Sequence, residues 1–243
     1  VKFMNIAIIP ARGGSKRISG KNFKPFLKKP IIAYTINALK KSKIFNKIVV
    51  STDSLKIAKI SKKYGAEVPF LRPKKLSGSI IDERPALQHC IKYYEQKGLK
   101  FDRVCCVYPA NPFLNISDLK KGLSLLNKKK DGYVFSATDY LFPYLRSFVI
   151  NKKRLKPLFK KNTLKRSQDL KQKILCDAGS FYWGKTKDWL KTYEKSCLIP
   201  SSDVILIPNW RYHDIDTPED WKRAEKIYKA LKSNIRWILN IIA

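Results

Sequence analysis

The sequence has no long hydrophobic run. Its first apolar stretch, Ile6 to Ile9, stops at Pro10, and no segment is long enough to span a bilayer. That stretch is also too short for the core of a secretory leader, so the expectation is a cytoplasmic protein without membrane association. Acidic residues are few: 19 Asp plus Glu stand against 51 Lys plus Arg, a formal charge of +32. Such an excess implies anionic company, whether nucleic acid, acidic lipid or a phosphorylated substrate. The lysines run from Lys2 to Lys232 and are not gathered into one arm. Most therefore read as solvated helix faces, with a smaller subset forming a substrate site. A helix-turn-helix pattern and an RNA-binding aromatic signature are both missing, and no nucleic acid is expected as a partner. The five cysteines (Cys90, Cys105, Cys106, Cys176, Cys197) are odd in number and lack metal-ligand spacing. They read as buried or half-buried free thiols in a reducing compartment. Internal repeats and low-complexity segments are absent.

What is present suits a folded α/β domain. The chain has 243 residues, 44% of them hydrophobic and 12% aromatic, enough to bury a substantial core. Short apolar runs at 5–9, 47–51, 68–71, 103–108 and 133–137 read as strands. Amphipathic segments at 30–42, 54–64, 85–97 and from Ser117 or Asp118 to 128 read as helices between them. Alternation of this kind predicts a parallel or mixed sheet covered by helices on both faces. Adjacent Cys105 and Cys106 then point to opposite faces of their strand. The pattern breaks over 142–172, which reads as a β-rich insertion off the sheet. It resumes with strands at 179–183 and 204–207 and a helix from Thr186. Thr217-Pro-Glu-Asp220 opens the final helix as a capping box with Pro at the first helical position. We expect one domain over 1–234, an inserted lobe at 142–172, and an apolar docking or frayed tail at 235–243.

The loop after the first strand carries the leading motif, Ile9-Pro-Ala-Arg-Gly-Gly-Ser-Lys-Arg-Ile-Ser-Gly-Lys-Asn22. In an open α/β sheet, ligands bind at the carboxyl ends of strands, where this loop lies. Gly13 and Gly14 let the backbone approach phosphate, and Ser15 adds a hydroxyl donor. Arg12, Lys16, Arg17 and Lys21 supply charge against a polyphosphate. The loop has neither the G-x-x-x-x-G-K spacing of a P-loop nor the G-x-G-x-x-G of a dinucleotide site. Near the other end stands Tyr212-His-Asp-Ile-Asp-Thr-Pro-Glu-Asp-Trp221. In an extended segment Asp214 and Asp216 project to one side, a pair of oxygen donors fit for Mg²⁺ bridging phosphates. The two histidines, His89 and His213, read as a helix-face residue and a solvated neighbour of Asp214, so no general base is assigned.

Together the two motifs resemble the signatures of the sugar-acid cytidylyltransferases, the family of the CMP-sialic acid synthetases. Three more segments, 105–114, 166–170 and 177–184, are similar to the pseudaminic acid branch of that family. The resemblance runs from about Asn5 to Ser233. It implies a Rossmann-like nucleotidyltransferase fold with a small dimerisation insertion, a homodimer, and Mg²⁺-dependent transfer of CMP from CTP to a nonulosonic acid. By resemblance, Arg12, Gly13, Ser15, Lys16 and Lys21 meet the triphosphate, Asn22 and Arg72 the nucleoside, and Asp214 and Asp216 the metal. Arg12, Lys21 and Asp216 are thereby implied to be catalytic. Tyr108, Arg166, Gln168, Asp177 and Tyr182 are implied on the sugar side. Two departures stand out. Cys176 occupies a position often held by His, and the segment 77–84 lacks an Asp-Asp-x-x-Thr pattern, so no base contacts are assigned there.

Overall fold

The computed structural model describes residues 3–15, 17–78, 83–140, 144–170, 174–191 and 196–242, with side chains at all of these except 167 and 234–242. Lys16 and residues 79–82 fall outside this set, as do the side chains of the apolar tail. The strands and helices run β1 (Asn5–Pro10), β2 (Pro25–Phe26), β3 (Lys29–Pro30), α1 (Ile31–Ser42), β4 (Lys47–Ser51), α2 (Leu55–Lys63), α3 (Arg84–Gln96) and β5 (Arg103–Val107). They continue with α4 (Ile116–Asn127), β6 (Tyr133–Asp139), β7 (Phe148–Asn151), β8 (Arg154–Pro157), β9 (Leu175–Lys185), α5 (Thr186–Leu190), β10 (Asp203–Leu206) and α6 (Pro218–Ile242).

Six strands form one sheet in the order β10-β6-β9-β5-β1-β4. β1 is parallel to β4 and β5, and β10 to β6, while β9 runs antiparallel between β5 and β6. Helices cover both faces, as the alternating pattern predicts. In β1, Ala7 and Ile9 pack beneath α1, α2 and α4, whereas Ile6 and Ile8 face the α3 side. Cys105 and Cys106 divide between these two cores in the same way. Each buried isoleucine among these contributes about 1.5–3 kcal/mol.

Three local readings needed correction. The run 68–71 forms no strand, only isolated bridges from Glu67 to Val49 and from Leu71 to Thr52. Pro69 lies inside it and has no N–H to give a ladder. α4 is capped by Asn115, two residues before Ser117, its side chain accepting from the Ser117 amide at 2.8 Å. The strand expected at 179–183 is the middle of the longer β9. Within 144–170, β7 and β8 make an antiparallel hairpin whose Phe148, Val149, Ile150 and Leu155 are exposed. α6 closes the remaining side of the fold, where Trp221 and Ala224 pack with Phe26, Ile31 and Ile215. That contact fixes residue 215 between the two candidate metal carboxylates.

Candidate active site

The loops that leave the carboxyl ends of β1 and β5 meet the segment 72–78, Glu83 and the Asp214–Asp216 stretch over one cleft of roughly 500 Å³. The loop after β1 is tied down by its neighbours. The Gly13 amide donates to Asp53 Oδ1 at 2.8 Å, and the buried Asn22 donates from Nδ2 to the Arg12 carbonyl at 3.0 Å. A Cβ at Gly13 would stand 3.0 Å from the Ser54 Cβ, so glycine lets the loop lie close against the N-terminus of α2. Arg12 reaches the Gly78 carbonyl at 3.2 Å. Arg72 is buried and donates from Nε to Ser77 Oγ at 3.2 Å. Burial lowers its pKa from the usual arginine value, an effect partly offset by Asp53.

Across the cleft, Asp216 is held by two cations from the first loop. Arg17 Nη1 lies 2.5 Å from its Oδ2, and Lys21 Nζ lies 3.1 Å from its Oδ1 and 3.0 Å from the Ile215 carbonyl. The backbone is set by the expected capping box. The Thr217 amide donates to Asp220 Oδ2 at 2.9 Å and the Asp220 amide to Thr217 Oγ1 at 3.2 Å, with the Asp216 amide 3.3 Å from the same Asp220 oxygen. Asp214 lines the cleft beside Asp216. Its carboxyl is pushed above the ordinary range, first by burial and then by the Asp216 charge, with Lys21 and Arg17 pulling it back. The described residues contain no group of three His, Cys, Asp or Glu fit to hold a metal. Two hard carboxylates side by side still suit a divalent ion whose other ligands are waters and phosphate oxygens.

A side chamber of roughly 280 Å³ adjoins the cleft and shares Lys21, Tyr108, Pro109 and Asp214 with it. Asp177 and Tyr182 come to it through an irregularity in β9. Phe135 opposes Tyr182 but Ala137 opposes Asp177, so the intervening residues of β9 bulge out. Ser136 Oγ fills the bulge, accepting from the Ser180 and Phe181 amides at 3.1 and 3.3 Å, and Gly179 takes φ 52°. Asp177 then accepts from the Gly179 amide at 2.9 Å and from the Tyr182 hydroxyl at 2.6 Å. Burial, with Tyr108 and Asp177 nearby, raises the Tyr182 pKa and keeps the phenol a neutral donor. The Tyr108 and Tyr182 rings stand 5.6 Å apart.

Of the residues singled out from sequence, Arg12, Ser15, Arg17, Lys21, Asn22, Arg72, Tyr108, Asp214 and Asp216 line the cleft, and Asp177 and Tyr182 the side chamber. Gly13 braces the loop. Lys16 lies outside the described residues. Arg166 and Gln168 line neither space: both are exposed in the inserted lobe, and Arg166 pairs with Asp169 at 2.9 Å. His213 adjoins the side chamber, its Nε2 2.8 Å from the Trp210 carbonyl, and burial lowers its pKa, as burial does for His89 against Phe70. Sequence reasoning missed Asp53, which braces the loop after β1, and Glu83, which lines the cleft. Asp53 carried a usable signal, since it follows β4 directly at the ligand-binding end of the sheet.

Comparison with known proteins identifies the family. The family model described as "Cytidylyltransferase" matches residues 6–199. A pseudaminic acid cytidylyltransferase of Campylobacter jejuni subsp. jejuni is 40% identical over 227 residues, covering 93% of this chain and 97% of that one. The CMP-N,N'-diacetyllegionaminic acid synthase of Legionella pneumophila is 32% identical over 91% of this chain and 95% of its own length. Among solved structures, CMP:2-keto-3-deoxy-manno-octonic acid synthetase complexed with CTP superposes with a TM-score of 0.67 at 14% identity, covering 93% of this chain and 99% of that one. At that identity the superposition speaks for the fold.

Proposed function

The chain belongs to the cytidylyltransferase family, and from that premise we propose that it transfers CMP from CTP to the anomeric hydroxyl of pseudaminic acid, releasing pyrophosphate. The observation that carries the reading is the junction of two spaces at Lys21, Tyr108, Pro109 and Asp214. One space is basic and walled by the β1 loop; the other is walled by Tyr182, Asp177 and Tyr212. A nucleoside triphosphate in the first and a sugar acid in the second bring the anomeric oxygen to the α-phosphorus at that junction. An O–Pα bond forms as the bond from Pα to the bridging oxygen of pyrophosphate breaks, and the hydroxyl proton passes to solvent water.

Such a transfer depends on alignment and charge neutralisation more than on covalent help. Arg12, Ser15 and Lys21 hold the triphosphate, Asn22 and Arg72 steady the nucleoside side of the cleft, and Tyr108 separates the two substrates. Asp214 and Asp216 would hold Mg²⁺, which when bound supplies charge against the α-phosphate and the leaving group. Lys21 stands beside that carboxylate pair, placed to meet charge developing at the same point. The reading carries a cytoplasmic setting with it, since CTP is made there. It also includes a homodimer formed through the β7–β8 hairpin, whose apolar residues are exposed on the single chain.

Pyrophosphate release is measured with CTP, Mg²⁺ and either pseudaminic or N-acetylneuraminic acid, beside an Asp216→Ala control. Release with pseudaminic acid, lost in the control, is expected. Release only with the sialic acid would overturn the substrate, and silence with both would overturn the reaction.

A further inference from the structure

The far end of α6 has no part in the cleft or its side chamber. We propose that this end docks the protein on a membrane surface rich in anionic phospholipid, the helix lying in the headgroup layer. α6 is 25 residues long, roughly 37 Å at 1.5 Å per residue. Its first half belongs to the body of the fold. Trp221 and Ala224 are buried with Phe26 and Ile31, and the Tyr228 ring stands 5.7 Å from Phe26 and 5.3 Å from Tyr34. The helical backbone then runs on from Tyr228 to Ile242, about another 20 Å. At 3.6 residues per turn the sequence puts Leu231, Ile235, Ile238 and Ile242 on the stripe that begins with Trp221, Ala224 and Tyr228. The opposite stripe takes Lys222, Lys226, Lys229, Ser233 and Arg236, the first four exposed. Trp237 falls beside that basic stripe, and tryptophan is favoured at the bilayer interface.

A helix that is basic along one stripe and aliphatic along the other is the form that lies in a bilayer interface. No helix among the described residues is long and apolar enough to cross a membrane, so the contact is docking and not spanning. The expectation of no membrane association rested on the lack of a spanning run, which a docked helix does not need. Charge selects the occupant. Lys28 and Lys29 are exposed on the β2–β3 hairpin, which is joined to α6 by the Leu27 amide donating to Glu225 Oε1 at 3.1 Å. They add two cations beside the basic stripe of the helix. A second copy of a chain with formal charge +32 would bring like charge against this face. An anionic bilayer answers the cations and takes the aliphatic stripe into the boundary between headgroups and acyl chains. Asp214 and Asp216 lie just before the first residue of α6, at the other end of the helix from the docking stretch. The cleft therefore stays open to its substrates while the helix is docked.

The full chain is sedimented with vesicles of phosphatidylcholine alone and of phosphatidylcholine with phosphatidylglycerol in equal parts. Two variants accompany it: Ile238→Asp with Ile242→Asp, which charges the aliphatic stripe, and Lys226→Ala with Lys229→Ala, which thins the basic one. An unchanged unfolding midpoint by calorimetry reports that the fold persists in each. Binding to the mixed vesicles alone is expected, lost in the aspartate variant and weakened about 25-fold in the alanine variant, at roughly fivefold per cation. It should also fall steeply as salt is raised. If the aspartates disturb the fold, the alanine pair, at exposed positions, carries the test. No binding to the mixed vesicles, or equal binding to both compositions, would overturn the proposal. Undiminished binding by a folded aspartate variant would overturn it too, by assigning adsorption to the scattered lysines. So would a solution mass that halves in that variant while wild type ignores vesicles, since the stripe would then belong to a second copy. Pyrophosphate release plays no part in these readouts, so the docking face stands or falls apart from the reaction.

Discussion

Arg17 and Lys21 occupy both carboxylate oxygens of Asp216, so the Mg²⁺ we propose there would have to compete with cations of the protein's own first loop. Removing one competitor should strengthen metal binding before any nucleotide arrives. The Arg17 side chain is 69% exposed, and an ion pair in that setting is worth about 0.2–1 kcal/mol. Arg17→Ala should therefore tighten metal binding by roughly 1.4- to fivefold. Mn²⁺ serves as the probe, its free fraction read by electron paramagnetic resonance in a titration without CTP, with Asp216→Asn as the baseline. The gain should shrink toward 1 M salt, where the screening length falls to about 3 Å. With CTP present the order reverses, because the triphosphate draws the loop cations away and Arg17→Ala then costs nucleotide affinity. Unchanged or weaker Mn²⁺ binding by CTP-free Arg17→Ala would refute the argument: either Asp216 is not the ligand, or the pair with Arg17 does not compete.

Thr217→Ala removes the cap that sets both α6 and the Asp216 backbone. It should cost about 1 kcal/mol and lower Tm by about 2–4 °C, read by calorimetry. Tyr182→Phe takes away the 2.6 Å donor to Asp177; KM for the sugar should rise while CTP affinity stays put, and parallel losses in both would contradict the two-space assignment. Gly132→Ala places a Cβ 2.3 Å from the Ser201 carbonyl oxygen at φ +82°, so about 1–3 kcal/mol of backbone strain plus a clash should appear as a lowered unfolding midpoint in urea. Burial pushes the Cys90 thiol up to about 12 and raises the Cys105 thiol well above its ordinary value. Ellman's reagent at pH 8 should thus find no more than the two half-buried thiols, Cys176 and Cys197, until the protein is unfolded.

The parts of the fold legible in the sequence are those set by local pattern. β1, β4, β5 and β6 are runs buried on both faces, and the candidate phosphate loop could be placed because it follows one of them. The direction of β9 was not legible, since a strand buried on both faces looks the same whichever way it runs, and its reversal is decided by the neighbours β5 and β6. The same limit divides the site. Arg12, Ser15 and Lys21 lie in one loop and could be read together, whereas the clamp on Asp216 joins positions 195 residues apart and exists only once α6 is packed. Asp177 and Tyr182 are five apart on one strand, which by simple alternation would put them on opposite faces. Only the bulge around Gly179, held open by Ser136 from the neighbouring strand, turns the two toward one chamber. On the proposed reading, the sugar side of the site is thus encoded in a departure from strand periodicity, and the triphosphate side in agreement with it.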